Sequence, residues 1–177
     1  MIPIGTADLG AGSKLLAVAR DNAGKIIYGA VAIEGQMQQG IANHLFGIGY
    51  NCTPQRNFFV RNFLESSYLE FSAKLHIYMK VLEEIGDLST NKEKEQFGSI
   101  FRKIMMYRNS MAHGKLKTVN GTVVIEYFQK DRITAVINEQ YLAEIESAFV
   151  LAFNTVKLKN EKITSFTKIA SEIKVPG

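Results

Sequence analysis

Three side chains near the end of one apolar-periodic stretch are of the types needed for proton transfer at a phosphate. Arg108, Asn109 and His113 stand in the run IMMYRNSMAHGKL, directly before Gly114. A guanidinium is a planar, permanently charged fork that fits two phosphate or carboxylate oxygens at once. Histidine is the side chain whose ordinary titration lies near neutrality, which suits it to giving a proton to a leaving oxygen. Asn109 and His113 are four apart, so a helix puts them on one side. His113 falls in the last turn, where the negative end of the helix dipole favours imidazolium. Arg108 is the anomaly: the spacing sets it inside the stripe Phe97, Ile100, Phe101, Ile104, Tyr107 and Met111. A buried, unpaired guanidinium is costly, so an acidic partner, an edge cavity or a phosphate ligand is expected to compensate it. The spacing also admits a plainer reading, a packed arginine capping carbonyls with a surface histidine beside it.

Six cations cluster in sequence around these residues: Arg102, Lys103, Lys115, Lys117, Lys130 and Arg132. They can line a phosphate groove, or they can be ordinary solvated surface. Tyr107, Tyr127 and Phe128 can stack on bases, but core packing is the simpler expectation for all three. Other candidates carry less. His44 and His76 have no Cys or His at ligand spacing, so no metal site is expected. Glu83-Glu84, Glu65 and Glu70 read as solvated helix faces, and Cys52 has no local motif. The run GTADLGAGSK at Gly5–Lys14 has the wrong spacing for a phosphate-binding loop, and no cofactor is expected.

The elements that must hold these residues follow from periodicity. Ile33, Met37, Ile41 and Leu45 recur every four residues, a helix that Gly47 and Gly49 would stop. Before it, Leu15–Arg20 and Ile26–Ala32 around Asp21-Asn22-Ala23-Gly24 read as a β-hairpin, or as a short helix and turn. Thr53-Pro54 is a helix start. From there Val60, Leu64, Tyr68, Phe71, Leu75, Tyr78, Leu82 and Ile85 predict one helix of about 32 residues, closed by Gly86. A third helix is expected from near Lys92 to His113. Asn120-Gly121 then predicts a tight turn between strands at Leu116–Val119 and Thr122–Phe128, with a third strand at Ile133–Ile137. Asn138 caps a last helix marked by Leu142, Ile145, Phe149, Ala152 and Val156.

The fold class expected is therefore mostly α: a four-helix bundle, a small antiparallel β meander (about 115–137) before the last helix, and a possible N-terminal hairpin. The expected organisation is 1–32 as an extension, 33–158 as the helical domain and 159–177 as a basic tail. Of the 177 residues, 46% are hydrophobic and 21% charged, enough for a real core, which argues against global disorder. A single cysteine excludes an intrachain disulfide and points to a reducing, cytoplasmic setting. MIPIGTADLGAG lacks the pattern of a secretory signal, and no run has the length of a membrane span. The formal charge of +4 tolerates a polyanionic partner without requiring one.

Arg108 to His113 fits the R-x4-H pattern, with Asn directly after the Arg, and the chain thereby resembles HEPN domains over roughly residues 33–158. The helix order, the motif at the end of the third helix and the fourth helix after it are similar too; the β meander and the first 30 residues depart from the pattern. The resemblance implies a metal-independent endoribonuclease, commonly a homodimer with two motifs facing across one cleft. It implies that Arg108 holds the scissile phosphate, His113 acts as general acid or base and Asn109 orients the pair. RNA is the implied partner, with a toxin or defence role and a restraining protein partner or antitoxin. A second implication is of a different kind: a non-catalytic HEPN-like domain that docks on a protein such as a nucleotidyltransferase.

Overall fold

The structure, a computed structural model, describes residues 11–48, 53–66 and 69–173. Gly5, Gly10, Gly49, Cys52 and Tyr68 lie outside the described residues. The chain is mostly helical, with a three-stranded antiparallel sheet before the last helix. In order come α1 (Ala11–Phe46), α2 (Pro54–Phe59) running into a π-helical turn (Val60–Leu64), α3 (Phe71–Glu84) and α4 (Asn91–His113). Strands β1 (Lys115–Val119), β2 (Thr122–Phe128) and β3 (Arg132–Val136) follow, then α5 (Glu139–Ile173).

Two expectations are corrected. The N-terminal hairpin does not form: Leu15–Ala32 belong to α1, which runs on through Ile33. The helical period begins far earlier than Ile33, because Ala19, Ile26, Ala30, Ile33, Met37 and Ile41 are all buried at steps of three, four or seven. The supposed turn at Asp21–Gly24 is helical, with Asp21 paired to Lys25 one turn on at 2.6 Å. The single helix from Pro54 to Ile85 is also absent; it is broken between Leu64 and Phe71. Polar side chains there take backbone carbonyls for themselves: Asn62 Nδ2 donates to Phe58 O (2.8 Å) and Ser66 Oγ to Phe63 O (2.8 Å). Glu70 restarts the chain from an extended conformation.

The end signals act as expected. Thr53 Oγ1 accepts from Arg56 N (3.2 Å), and Asn138 Oδ1 from Tyr141 N (2.8 Å). A reciprocal cap opens α4, where Glu93 N donates to Thr90 Oγ1 and Thr90 N to Glu93 Oε2. Gly47 at φ +82° and Gly86 at φ +76° close α1 and α3. The stretch after Lys157 is helical to Ile173 and buries Ile163.

The chain divides into two compact units. One holds the described residues up to Ala30 together with Lys103–Phe149, and so contains the motif and the sheet. Its core is Ala19, Ile26, Tyr107, Met111, Val123, Ile125, Tyr127, Ile137 and Ile145. Gly29 lets α1 approach the Phe149 ring there, 3.0 Å from where a Cβ would stand. The other holds Val31–Arg102 and the residues from Val150 on. Tyr78, Leu82, Phe97 and Phe101 are at the centre of its core. Its two buried cationic side chains are paired: Lys74 with Glu34, and Arg56 with Gly47 O (2.9 Å) and Asn43 Oδ1 (2.8 Å).

Candidate functional site

The end of α4 is fixed by the chain that follows it. Gly114 N donates to Ser110 O at 2.7 Å. A Cβ on Gly114 would stand 2.1 Å from that carbonyl and 2.7 Å from Ile125 of β2. Only glycine lets the helix turn directly into β1 at this distance. The motif is therefore held at a rigid helix-to-sheet corner, with Tyr107 and Met111 in the core on its inner side.

Ser110, not Arg108, is the polar residue buried in this turn. It is fully buried, with its hydroxyl donating to Tyr107 O at 2.8 Å. The stripe Phe97, Phe101, Ile104 continues to Tyr107 and Met111 and leaves Arg108 at its edge, half-buried. The expected burial of the guanidinium within the stripe is thus corrected: Arg108 is only half-buried, and no carboxylate compensates it among the described residues. Its guanidinium is turned along the helix, with Nη1 donating to Asn109 Oδ1 at 2.9 Å. On an ideal helix Arg108 and His113 would diverge by about 140°, whereas Asn109 and His113 lie within about 40°. The hydrogen bond draws the guanidinium toward the side on which Asn109 and His113 stand. Both are exposed, and among the described residues no carboxylate pairs with Arg108 and no partner holds His113.

Of the six expected cations, Lys103, Lys115, Lys117, Lys130 and Arg132 share the motif's unit, whereas Arg102 falls in the other. Lys103 Nζ lies 5.7 Å from the centre of the Tyr107 ring, a cation–π contact. Lys115 and Lys130 are exposed. Lys117 and Arg132 are partly spent: both bind Glu126 Oε2, Arg132 at 2.7 Å. Lys117 first and Arg132 second hold the Glu126 carboxyl below the usual carboxylate range, so it stays ionised and offsets one of them.

The three aromatic candidates separate. Tyr107 and Tyr127 are core, as expected, while Phe128 is 81% exposed. Strand alternation had the signal: Val123, Ile125 and Tyr127 face inward, so Phe128 must face outward. Two residues missed from sequence are Glu126, which organises the cations, and Tyr141. The Tyr141 hydroxyl is buried without a hydrogen-bond partner among the described residues, and its ring meets Tyr107 edge-on at 6.0 Å. Burial pushes its phenol up, and the nearby Ser110 hydroxyl partly opposes this.

Among the described residues no three His, Cys, Asp or Glu side chains converge as metal ligands. No described helix is long and apolar enough to cross a membrane. Comparison with protein-family models, with curated proteins and with solved structures gave no match, so the reading of this site rests on its own geometry and on the motif's pattern.

Proposed function

We propose that this chain is a metal-independent endoribonuclease of HEPN type, acting as a cytoplasmic homodimer with the role of a toxin or defence effector restrained by a protein partner. The observation that carries the reading is the Arg108–Asn109 hydrogen bond, which turns a guanidinium without a carboxylate partner toward the side of α4 that carries the exposed His113. In the reaction, the 2′-oxygen attacks the adjacent phosphorus as its proton is taken, and the P–O5′ bond breaks as the leaving oxygen gains a proton. The products are a 2′,3′-cyclic phosphate and a 5′-hydroxyl. Arg108 neutralises charge on the phosphoryl oxygens in the transition state, and Asn109 keeps its fork in place. One His113 serves one proton transfer; the His113 of a facing copy serves the other. The test is an oligonucleotide with a single ribose at a defined step in a deoxyribose chain. Cleavage confined to the 3′ side of that ribose, leaving a cyclic phosphate, is expected; cleavage of the all-deoxy chain contradicts the mechanism.

One observation favours the second reading, a docking domain without catalysis. In the other unit Leu45, Phe46, Ile48, Phe58 and Phe63 are all exposed. The Phe59 ring lies 5.5 Å from both Phe46 and Phe63. A joined apolar patch of this kind suits contact with another protein. A chain that is inert on RNA yet forms a stable complex weakened by Phe58→Ser and Phe63→Ser would favour it.

A further inference from the structure

The outer face of the sheet is not part of the motif, yet it is built from the same stretch of chain. The Asn120-Gly121 turn, at φ 49° and 78°, sets the register Val119↔Thr122, Lys117↔Val124 and Lys115↔Glu126. On the other side Phe128 pairs with Arg132 and Glu126 with Thr134. Alternation therefore puts Lys115, Lys117, Glu126, Phe128 and Arg132 on one face, opposite the core face of Ile125 and Tyr127.

Two facts about that face belong together. It carries three cations against one carboxylate, and Lys130 and Asp131 in the adjoining turn leave this excess unchanged. Its one aromatic ring, Phe128, is 81% exposed, because Arg132 directly opposite is drawn away to Glu126 instead of lying over it. Among the described residues it is the most exposed of the large hydrophobic side chains. Surrounded by net positive charge, it has the make-up of a platform on which a base stacks while the backbone phosphates meet lysines.

Its position is equally specific. Phe128 lies beyond the Lys115↔Glu126 pair, at the end of the sheet from which the chain steps back through Gly114 to His113. One strand spacing across and two residues along put its Cα roughly 8 Å from that of Lys115.

We infer that the outer sheet face is a docking site for single-stranded RNA, with Phe128 stacking on one base and Lys115 and Lys130 holding the adjoining phosphates. The inference rests on the ribonuclease reading for the choice of RNA. Glu126 limits affinity there, since it ties up Lys117 and Arg132. A duplex offers no unstacked base, so the site takes single strands.

The probe is a fluorescein-labelled 12-nucleotide 2′-O-methyl RNA, which lacks the attacking hydroxyl and so stays intact, titrated into the full chain by anisotropy. Phe128→Ala should weaken binding by about 5- to 150-fold, the span of base–aromatic stacking, without changing the thermal midpoint or the salt dependence. Phe128→Tyr should bind as wild type and Phe128→Leu should not. Lys115→Ala and Lys130→Ala should each lower the slope of log K against log salt by about 0.7. Glu126→Gln should tighten binding and steepen that slope. No binding by the wild type, unchanged affinity in Phe128→Ala, or wild-type affinity in Phe128→Leu would each overturn the platform. Cleavage of unmodified RNA separates the two readings. A wild type that cleaves while Phe128→Ala binds normally loses the platform and keeps the nuclease. A wild type that binds through Phe128 but never cleaves does the reverse.

Discussion

At the scale of the residue, the central pair is defined by what each member lacks. Arg108 has no carboxylate and His113 has no partner among the described residues, so both are open to a ligand. Arg108→Ala should abolish most cleavage, and Arg108→Lys should not restore it, because an ammonium cannot copy the two-pronged grip of a guanidinium. The buried-stripe expectation would have made these variants unstable as well. The half-buried position with a single hydrogen bond predicts instead a loss of under about 1 kcal/mol in urea unfolding. Asn109→Ala should retain the charge but lose rate, since the guanidinium is then free to leave the His113 side. Equal rates for wild type and Asn109→Ala would remove Asn109 from the positioning role.

At the scale of the element, the corner at Gly114 does most to place the motif. Gly114→Ala sets a methyl 2.1 Å from the Ser110 carbonyl, so α4 or β1 must move. A cost of about 1–3 kcal/mol is expected from such overpacking, with loss of cleavage beyond what unfolding explains; a variant with wild-type midpoint and rate would show the corner to be slack. The sheet adds a pH dependence. Glu126 is held below its ordinary value of 4.5 by Lys117 and Arg132. Its contribution is present above that ordinary value and is lost as pH falls through the lower, folded-state value. Glu126→Gln should therefore lower stability modestly at neutral pH and flatten the acid side of the profile below about pH 4.5, wild type and variant converging once Glu126 is protonated; an unaltered acid limb would remove the ion triad from the account. Much of this was legible in sequence. Asn120-Gly121 marks the turn between β1 and β2, where it forms with both residues at positive φ. Hydrophobicity alone reads Phe128 as core, whereas strand parity turns it outward. Asp21-Asn22-Ala23-Gly24 has the composition of a turn and so reads as a hairpin. Tertiary burial of Ala19, Ile26 and Ala30, two of them small and weak in any hydrophobic pattern, overrides it. The break after Leu64 was hidden because an apolar period carries no record of side chains that cap their own helix.

At the scale of the whole molecule, the motif, its corner and the sheet fall in one compact unit, and α1, α4 and α5 each continue into the other. Periodicity could not reveal that division, since it reads each helix as one stripe whichever core it serves. A site built from one histidine per chain needs a second copy to supply both proton transfers, so light scattering should find a dimer at micromolar concentration. A monomer with full activity would remove the shared-cleft arrangement. The most direct test of the central claim is a single-turnover cleavage series on mixed single-stranded RNA in EDTA, comparing wild type with His113→Ala. The wild type is expected to cleave despite the chelator and to leave 2′,3′-cyclic phosphate ends. His113→Ala, exposed and unpartnered, should keep its fold and lose about 10²–10⁴-fold in rate, the usual worth of general acid–base catalysis. Undiminished cleavage by His113→Ala, or wild-type activity that EDTA abolishes, would contradict the account.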